Sequence, residues 1–172
     1  MLEIQIPNNE ISAEEVRAIA DSLPNQNEVI EELLSIMENG AYMQSYNALW
    51  VLKHWINSCK REIDAKLSSR LIAFWSESKI RLAHLLLLQC SDYITLDHNN
   101  FKSWESFIDL CRRSNHKFVK ANSYSGFLPL AKYSKDLIPE LFQICEIEEM
   151  VAPPSGKGRI KKVKKDLQKL SA

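Results

Sequence analysis

The fold is decided by three segments that superimpose without gaps: YNALWVLK at residues 46–53, RLAHLLLL at 81–88 and YSGFLPLA at 124–131. Each segment has a small residue at its third position, which is Ala48, Ala83 or Gly126. A small residue at a fixed place lets one helix approach its neighbour closely, while the large apolar residues that follow fill the layer between them. The segments therefore predict three equivalent helices in one packed stack.

A second helix precedes each of these segments. EELLSIM at 31–37, SRLIAFW at 69–75 and ESFIDLC at 105–111 also align, with Leu33, Leu71 and Phe107 at matching positions. Two helices in roughly 35 to 45 residues is the spacing of HEAT and armadillo repeats, and about three such repeats are needed for a continuous core. The sequence thus predicts an all-α fold, a right-handed α-α superhelix of the HEAT or ARM kind with about eight or nine helices in three to four pairs. A non-repetitive helical bundle is the alternative.

Local signals predict where several helices begin and break. Ser12 and Glu15 have the spacing of a capping box, which opens the first helix. The segments 61–78 and 79–93 predict the fourth and fifth helices as close neighbours. Pro129 falls inside the seventh helix and predicts a kink or a restart there, because proline removes one backbone donor.

The end of the chain differs in charge from the rest. Residues 151–172 hold seven Lys or Arg and one Asp, so the preceding part has 15 basic against 21 acidic residues. We divide the chain into a HEAT-like helical repeat domain at 1–150 and a basic C-terminal segment at 151–172. The Pro and Gly cluster at 153–158 predicts a break. A short terminal helix is expected to follow it, with an apolar side formed by Ile160, Val163 and Leu167.

Composition indicates a chain that folds without a metal or a disulfide. Hydrophobic residues make up 45% and charged residues 26%, far from the range of disordered chains. The cysteines are too widely spaced for a CxxC site and lie among apolar residues, which predicts buried free thiols at Cys59, Cys90, Cys111 and Cys145. The N-terminal residues lack the pattern of a signal peptide, and the longest apolar run is shorter than the about 20 residues of a membrane span. We expect a cytoplasmic protein with no membrane segment.

Several motifs follow one another in an order that resembles a known family. They are VIEELLSIMENGAYMQSYNALWVLKH at 29–54, ESKIRLAHLLLLQ at 77–89, FLPLAKYSKDLIPEL at 127–141 and SGKGRIKKVKK at 155–165. Together they are similar to a family of small HEAT-like proteins of unknown function from Bacteroidetes bacteria, over about residues 26–168. The resemblance implies the fold and carries over no catalytic residue. The family has a basic residue where this chain has Tyr46, so any ligand contact by that residue is not expected here.

The strong charge feature is the C-terminal basic stretch. Its side chains could hold phosphate oxygens of a nucleic acid or another anion, with counterion release strengthening the contact. The alternative is a solvated lysine face packed against the acidic body of the protein. The candidate anion-binding or nucleic-acid-binding residues are Lys157, Arg159, Lys161, Lys162, Lys164 and Lys165.

Other chemistry has weak support in the sequence. His54 and Cys59 could form a nucleophile and base, but no third orienting group is indicated. His84, His98 and His116 lack the spacing of a zinc site. We therefore expect no catalytic residue, no metal and no cofactor.

These observations favour a non-enzymatic binding or scaffold module. Its partner would be a protein or peptide held on the concave face, which the second helices of the pairs form. The alternative is a nucleic-acid-binding helical-repeat protein that uses the basic C-terminal segment. An enzyme, such as a base-excision glycosylase on a HEAT-like scaffold, would need a cleft with a carboxylate beside tryptophans.

Overall fold

The structure is a computed structural model that describes residues 3–171, and most of these residues are helical. Met1 and Leu2 of the predicted domain at 1–150, and Ala172 of the segment at 151–172, lie outside the described residues. Within residues 3–171 there is no β-strand, and Ile63 and Ile94 form an isolated bridge. The predicted all-α class is confirmed. None of the described helices has the length and apolar character needed to cross a membrane.

The described chain contains ten α-helices and three short 3-10 turns. The α-helices are α1 Ala13–Ser22, α2 Glu28–Asn39, α3 Tyr42–Cys59, α4 Ala65–Ser76, α5 Arg81–Leu88, α6 Phe101–Arg112, α7 Lys117–Ser123, α8 Phe127–Tyr133, α9 Ile138–Val151 and α10 Pro154–Ser171. The capping box predicted at Ser12 and Glu15 is present at the start of α1. The 3-10 turns follow α5, α7 and α8.

Alternate helices pack against one another in two rows. The first row is α2, α4 and α6, and the second row is α3, α5, α7 and α10. Consecutive helices such as α2 and α3, or α6 and α7, connect the rows. One cluster of buried apolar residues runs through all of them, from Ile6 to Leu167. Each helix therefore depends on its neighbours in both rows to cover its apolar face.

The repeated positions found in the sequence are buried. Ala48 and Ala83 are fully buried in α3 and α5. Gly126 is buried in the turn before α8, where it lies against Ile108 and Trp104 of α6. The aligned residues of the preceding helices, Leu33, Leu71 and Phe107, are also core residues.

The predicted seventh helix is interrupted at Tyr124–Gly126 and not at Pro129. Pro129 lies in the first turn of α8, where its missing N–H has no helical partner to lose. The interruption has a packing cause instead, because the Gly126 carbonyl accepts a hydrogen bond of 2.9 Å from the Trp104 indole. A Cβ on Gly126 would overlap the Ile108 side chain. The chain therefore restarts its helix where α6 comes closest.

The predicted break between helices is present at Ala152 and Pro153, but it is shorter than the Pro and Gly cluster because α10 begins within the cluster at Pro154. The terminal helix has 18 residues and is therefore longer than predicted. Proline suits a helix N-terminus, since the first N–H groups of a helix are unpaired in any case. Gly156 is buried close to Ala152, at a point where a side chain would be crowded. The apolar side of this helix is confirmed, since Ile160, Val163 and Leu167 are all buried.

The fourth and fifth helices are shorter than predicted. Asp64 caps α4 by accepting a hydrogen bond of 2.8 Å from the Leu67 N–H, so the helix begins at Ala65. The Ile63 N–H donates to the Tyr93 carbonyl at 2.7 Å and ties the segment before α4 to the one after α5. The Asp64 cap is a local signal, whereas the long-range hydrogen bond from Ile63 to Tyr93 has no signature in the local sequence.

Three of the four cysteines are buried and all are free thiols. Burial raises the pKa of Cys90, Cys111 and Cys145 to about 12 in each case, so these thiols stay protonated and inert. The buried-thiol prediction is confirmed for these three, whereas Cys59 is half-buried.

Replacement of Gly126 tests the close approach of α6. We expect Gly126→Ala to lower the free energy of unfolding by about 1–3 kcal/mol, because the added methyl overlaps Ile108. The measurement is equilibrium unfolding in urea. Gly158→Ala is the matched control, since a Cβ there meets no atom within 4 Å and should leave stability equal or raise it by up to about 1 kcal/mol. Equal stability of the two variants would contradict the close packing.

Candidate functional site

Helix α10 points its basic residues in different directions. Because Ile160, Val163 and Leu167 occupy its inner side, the charged residues are distributed over the remaining sides. Lys161 and Lys164 contact α9, while Arg159 and Lys162 line a cavity against α3. The other two predicted residues, Lys157 and Lys165, form no ion pair within residues 3–171.

The α9 side of α10 is an ion-pair cluster. The Lys164 ammonium lies 3.2 Å from the Glu149 carboxylate and 3.8 Å from that of Glu146, and it also lies over the Phe142 ring. Lys161 is 4.0 Å from Glu149. These two lysines already have carboxylate partners, so they match the alternative of a lysine face packed on the acidic body. Each such pair contributes about 0–1 kcal/mol to stability.

On its other side, α10 closes a cavity of about 270 Å³ that lies between α3, α5, α7 and α10. We call it the α3–α10 cavity. Three cationic side chains line it, Lys53 from α3 and Arg159 and Lys162 from α10, against the single carboxylate of Asp92. None of these four side chains forms an ion pair within the described chain. The cavity is therefore a concave site with an excess of positive charge.

The rest of the cavity lining is polar and neutral, apart from one apolar residue. Leu88 and Asn122 are buried, while Asn57, Gln89 and Ser125 are half-buried. Amide and hydroxyl groups can turn a donor toward an anion without adding charge of their own. The lining therefore combines fixed positive charge with adjustable hydrogen-bond donors.

Lys53 is the most unusual of the lining residues. It is half-buried, and burial lowers the pKa of its ammonium group, although the buried Cys90 thiol acts in the opposite direction. Arg17 in α1 is close enough to lower the pKa of Lys53 further. The Lys53 ammonium has no hydrogen-bond acceptor among residues 3–171. A partly desolvated cation without a partner costs free energy, which a bound anion would recover.

The histidines and the half-buried thiol do not form a catalytic arrangement in the described chain. Burial lowers the pKa of His54, with further lowering by Lys53 and Arg17. The Cys59 thiol contacts the Ile56 carbonyl of its own helix at 3.8 Å. His84 is buried edge-on against Phe107. Across residues 3–171 no group of three His, Cys, Asp or Glu is placed to hold a metal ion.

The comparisons with known proteins add no identity. No family model matches the chain, no curated protein matches it, and no solved structure matches it. The function is therefore inferred from the residues that line the cavity.

Sequence reasoning found Arg159 and Lys162 but missed Lys53. A signal for Lys53 exists, because it is the last residue of the repeated segment at 46–53, where the matching residues are Leu88 and Ala131. The aligned residues at this position are otherwise apolar, so a charged residue here indicates a role other than core packing. Asn57, Gln89 and Asn122 gave no comparable signal, because three different helices bring them together.

Removal of the Lys53 charge should increase stability. We expect Lys53→Met to raise the melting temperature by a few degrees at most, because the variant keeps the aliphatic stem and removes a desolvated cation. The check is thermal unfolding followed by circular dichroism. Lys165→Met, at an exposed position of α10, is the control and should melt with the wild type. A lower melting temperature for Lys53→Met than for Lys165→Met would show that the ammonium group stabilises the fold.

Proposed function

We propose that the protein is a non-enzymatic binding module that holds nucleic acid at the α3–α10 cavity and the basic residues around it. The observation that carries the proposal is the convergence of Lys53, Arg159 and Lys162 on one cavity against the single carboxylate of Asp92. Such an excess of positive charge in a concave site attracts phosphate oxygens and raises association rates. Two of the six basic residues predicted from sequence are thus part of this site.

The helical frame is proposed to be a right-handed α-α superhelix of the HEAT kind. The packing of α3, α5, α7 and α10 in one row supports this, as does the burial of Ala48 and Ala83 at matching repeat positions. In such a frame the second row lines the concave face. Membership of the Bacteroidetes-type family of small HEAT-like proteins is part of the same proposal. So is a cytoplasmic location, which the free thiols support.

A binding role fits the cavity better than catalysis does. Asp92, the carboxylate at the cavity, is exposed, and no tryptophan lines it. Trp55, Trp75 and Trp104 are buried in the core, and Trp50 is half-buried. A base-excision site would need a desolvated carboxylate beside aromatic rings on which a base could stack.

The extent of the basic region favours nucleic acid as the ligand. Arg17 in α1 acts electrostatically on both Lys53 and His54, so a further cation lies near the cavity lining, with Asp21 acting on His54 in the opposite direction. Lys165, which is exposed, follows Lys162 at a spacing of three residues and so lies on the same side of α10. A polymer with a charge at every nucleotide can engage such separated cations together.

A protein or peptide partner is the second candidate, and a separate groove favours it. This groove of about 540 Å³ lies between the start of α3 and the end of α4, away from the α3–α10 cavity. Tyr42, which is 62% exposed, lines it together with Phe74 and Ile80. Exposed apolar side chains in a groove are typical of protein contacts.

Charge reversal at the cavity tests the nucleic-acid proposal. The double variant Arg159→Glu with Lys162→Glu should bind labelled single-stranded DNA, double-stranded DNA or RNA at least about tenfold more weakly than the wild type does. The slope of log affinity against log salt should also fall by about two, because two phosphate contacts are lost. Fluorescence anisotropy at low and near-physiological salt measures both quantities.

A matched control distinguishes the effect of the cavity residues on binding from the effect of the change in net charge. Lys66→Glu with Lys79→Glu makes the same change in charge at exposed positions in α4 and beside α5. This control should bind within about twofold of the wild type. Equal losses in the two double variants would contradict a role for the cavity. Absence of binding by the wild type at low salt would leave the protein-partner candidate.

A further inference from the structure

The residues that line the α3–α10 cavity range from buried to exposed. Leu88 is 1% exposed and Asn122 is 3% exposed. Lys53 is half-buried, whereas Arg159 and Lys162 are exposed to solvent. The cavity therefore offers a ligand two solvent-exposed cations and one cation that is partly shielded from water.

The donors in the cavity lining differ in whether they are already used. The Asn57 amide donates to the Lys53 carbonyl at 2.6 Å, and the Asn122 amide donates to the Phe118 carbonyl at 2.8 Å. The ammonium of Lys53, the amide of Gln89 and the hydroxyl of Ser125 have no such partner in the described chain. The lining therefore has unused hydrogen-bond donors in addition to its two exposed cations.

A phosphate monoester fits this arrangement better than a phosphodiester within a strand does. A monoester has three terminal oxygens, a charge of about −1.5 to −2 at neutral pH and one covalent link to the rest of its molecule. A diester has a single negative charge and two links to the rest of its strand. Three cations against Asp92 also balance a dianion more closely than a monoanion.

We propose that the α3–α10 cavity is a subsite for a terminal phosphate monoester, with Lys53 as its anchoring cation and Arg159 and Lys162 as its solvent-exposed cations. Where the monoester is the end of a nucleic-acid strand, this inference rests on the proposed nucleic-acid function. The same phosphate chemistry could be presented by a phosphorylated small molecule, so the experiment needs one arm for each source.

The first arm compares otherwise identical oligonucleotides with a 5′-phosphate, a 3′-phosphate or hydroxyl groups at both ends. We expect one phosphorylated end to raise the affinity of the wild-type chain at least about tenfold in fluorescence anisotropy, as charge-assisted hydrogen bonds do. Lys53→Met should remove this difference, and it should weaken binding of the hydroxyl form by no more than the loss of one phosphate contact. Asp92→Asn should increase the difference, because it removes the opposing carboxylate from the cavity.

The second arm titrates inorganic phosphate into the full chain, with chemical-shift changes of the Gln89 side-chain amide and the Ser125 backbone amide as the measurement. Saturable shifts in the wild type that are lost in Lys53→Met are expected. The Lys66→Met variant changes an exposed residue of α4, so it should keep these shifts and controls for general charge. The melting temperature of each variant reports whether it is folded.

The outcomes distinguish this inference from the proposed function. Oligonucleotide binding that is equal for phosphorylated and hydroxyl ends would overturn the subsite and leave the nucleic-acid proposal in place. Phosphate binding that depends on Lys53, without binding of any oligonucleotide, would support the subsite and overturn the nucleic-acid proposal. Phosphate shifts that are unchanged in Lys53→Met would overturn the role of Lys53.

Discussion

The burial of one apolar stripe on α10 determines the geometry of the candidate site. Ile160, Val163 and Leu167 are covered by α7, α8 and α9, and this contact fixes the rotation of α10 about its own axis. Once the rotation is fixed, helical geometry places residues three apart on the same side. Arg159 and Lys162 then lie at the cavity, and Lys161 and Lys164 lie on the acidic side of α9.

The packing of α10 depends in turn on how α9 is held. Glu148 in α9 accepts hydrogen bonds from Arg112 at 3.2 Å and from the Tyr124 hydroxyl at 3.1 Å, which joins α9 to α6 and to the turn before α8. Burial raises the pKa of Tyr124, with the Glu148 charge as a further cause, so its hydroxyl remains a donor. Lys53 is different, because it gives the fold a desolvated charge and no hydrogen bond. Such a local cost to stability is typical of residues kept for binding.

Local sequence patterns predicted the helices and much of the core, but not the site. The apolar spacing that identified α2, α3 and α6 is a direct result of burial, because each of these helices buries one face against its neighbours. The helix break at Gly126 and the hydrogen bond from Ile63 to Tyr93 before α4 depend on distant residues, and no local pattern encodes them. The composition of the sequence identified the basic segment. It did not predict which basic residues form ion pairs and which line a cavity, because that depends on which side of α10 is buried.

Native-state hydrogen exchange of α10 tests the central claim most directly, namely that this helix is packed as part of the core and so positions the cations. We expect the backbone amides from Ile160 to Leu167 to exchange as slowly as those in the core of α5 and α7, since they would open only with the surrounding helices. Fast exchange throughout α10, with protection retained in α5 and α7, would show that the helix is not held against the second row. The α3–α10 cavity would then not be a fixed site.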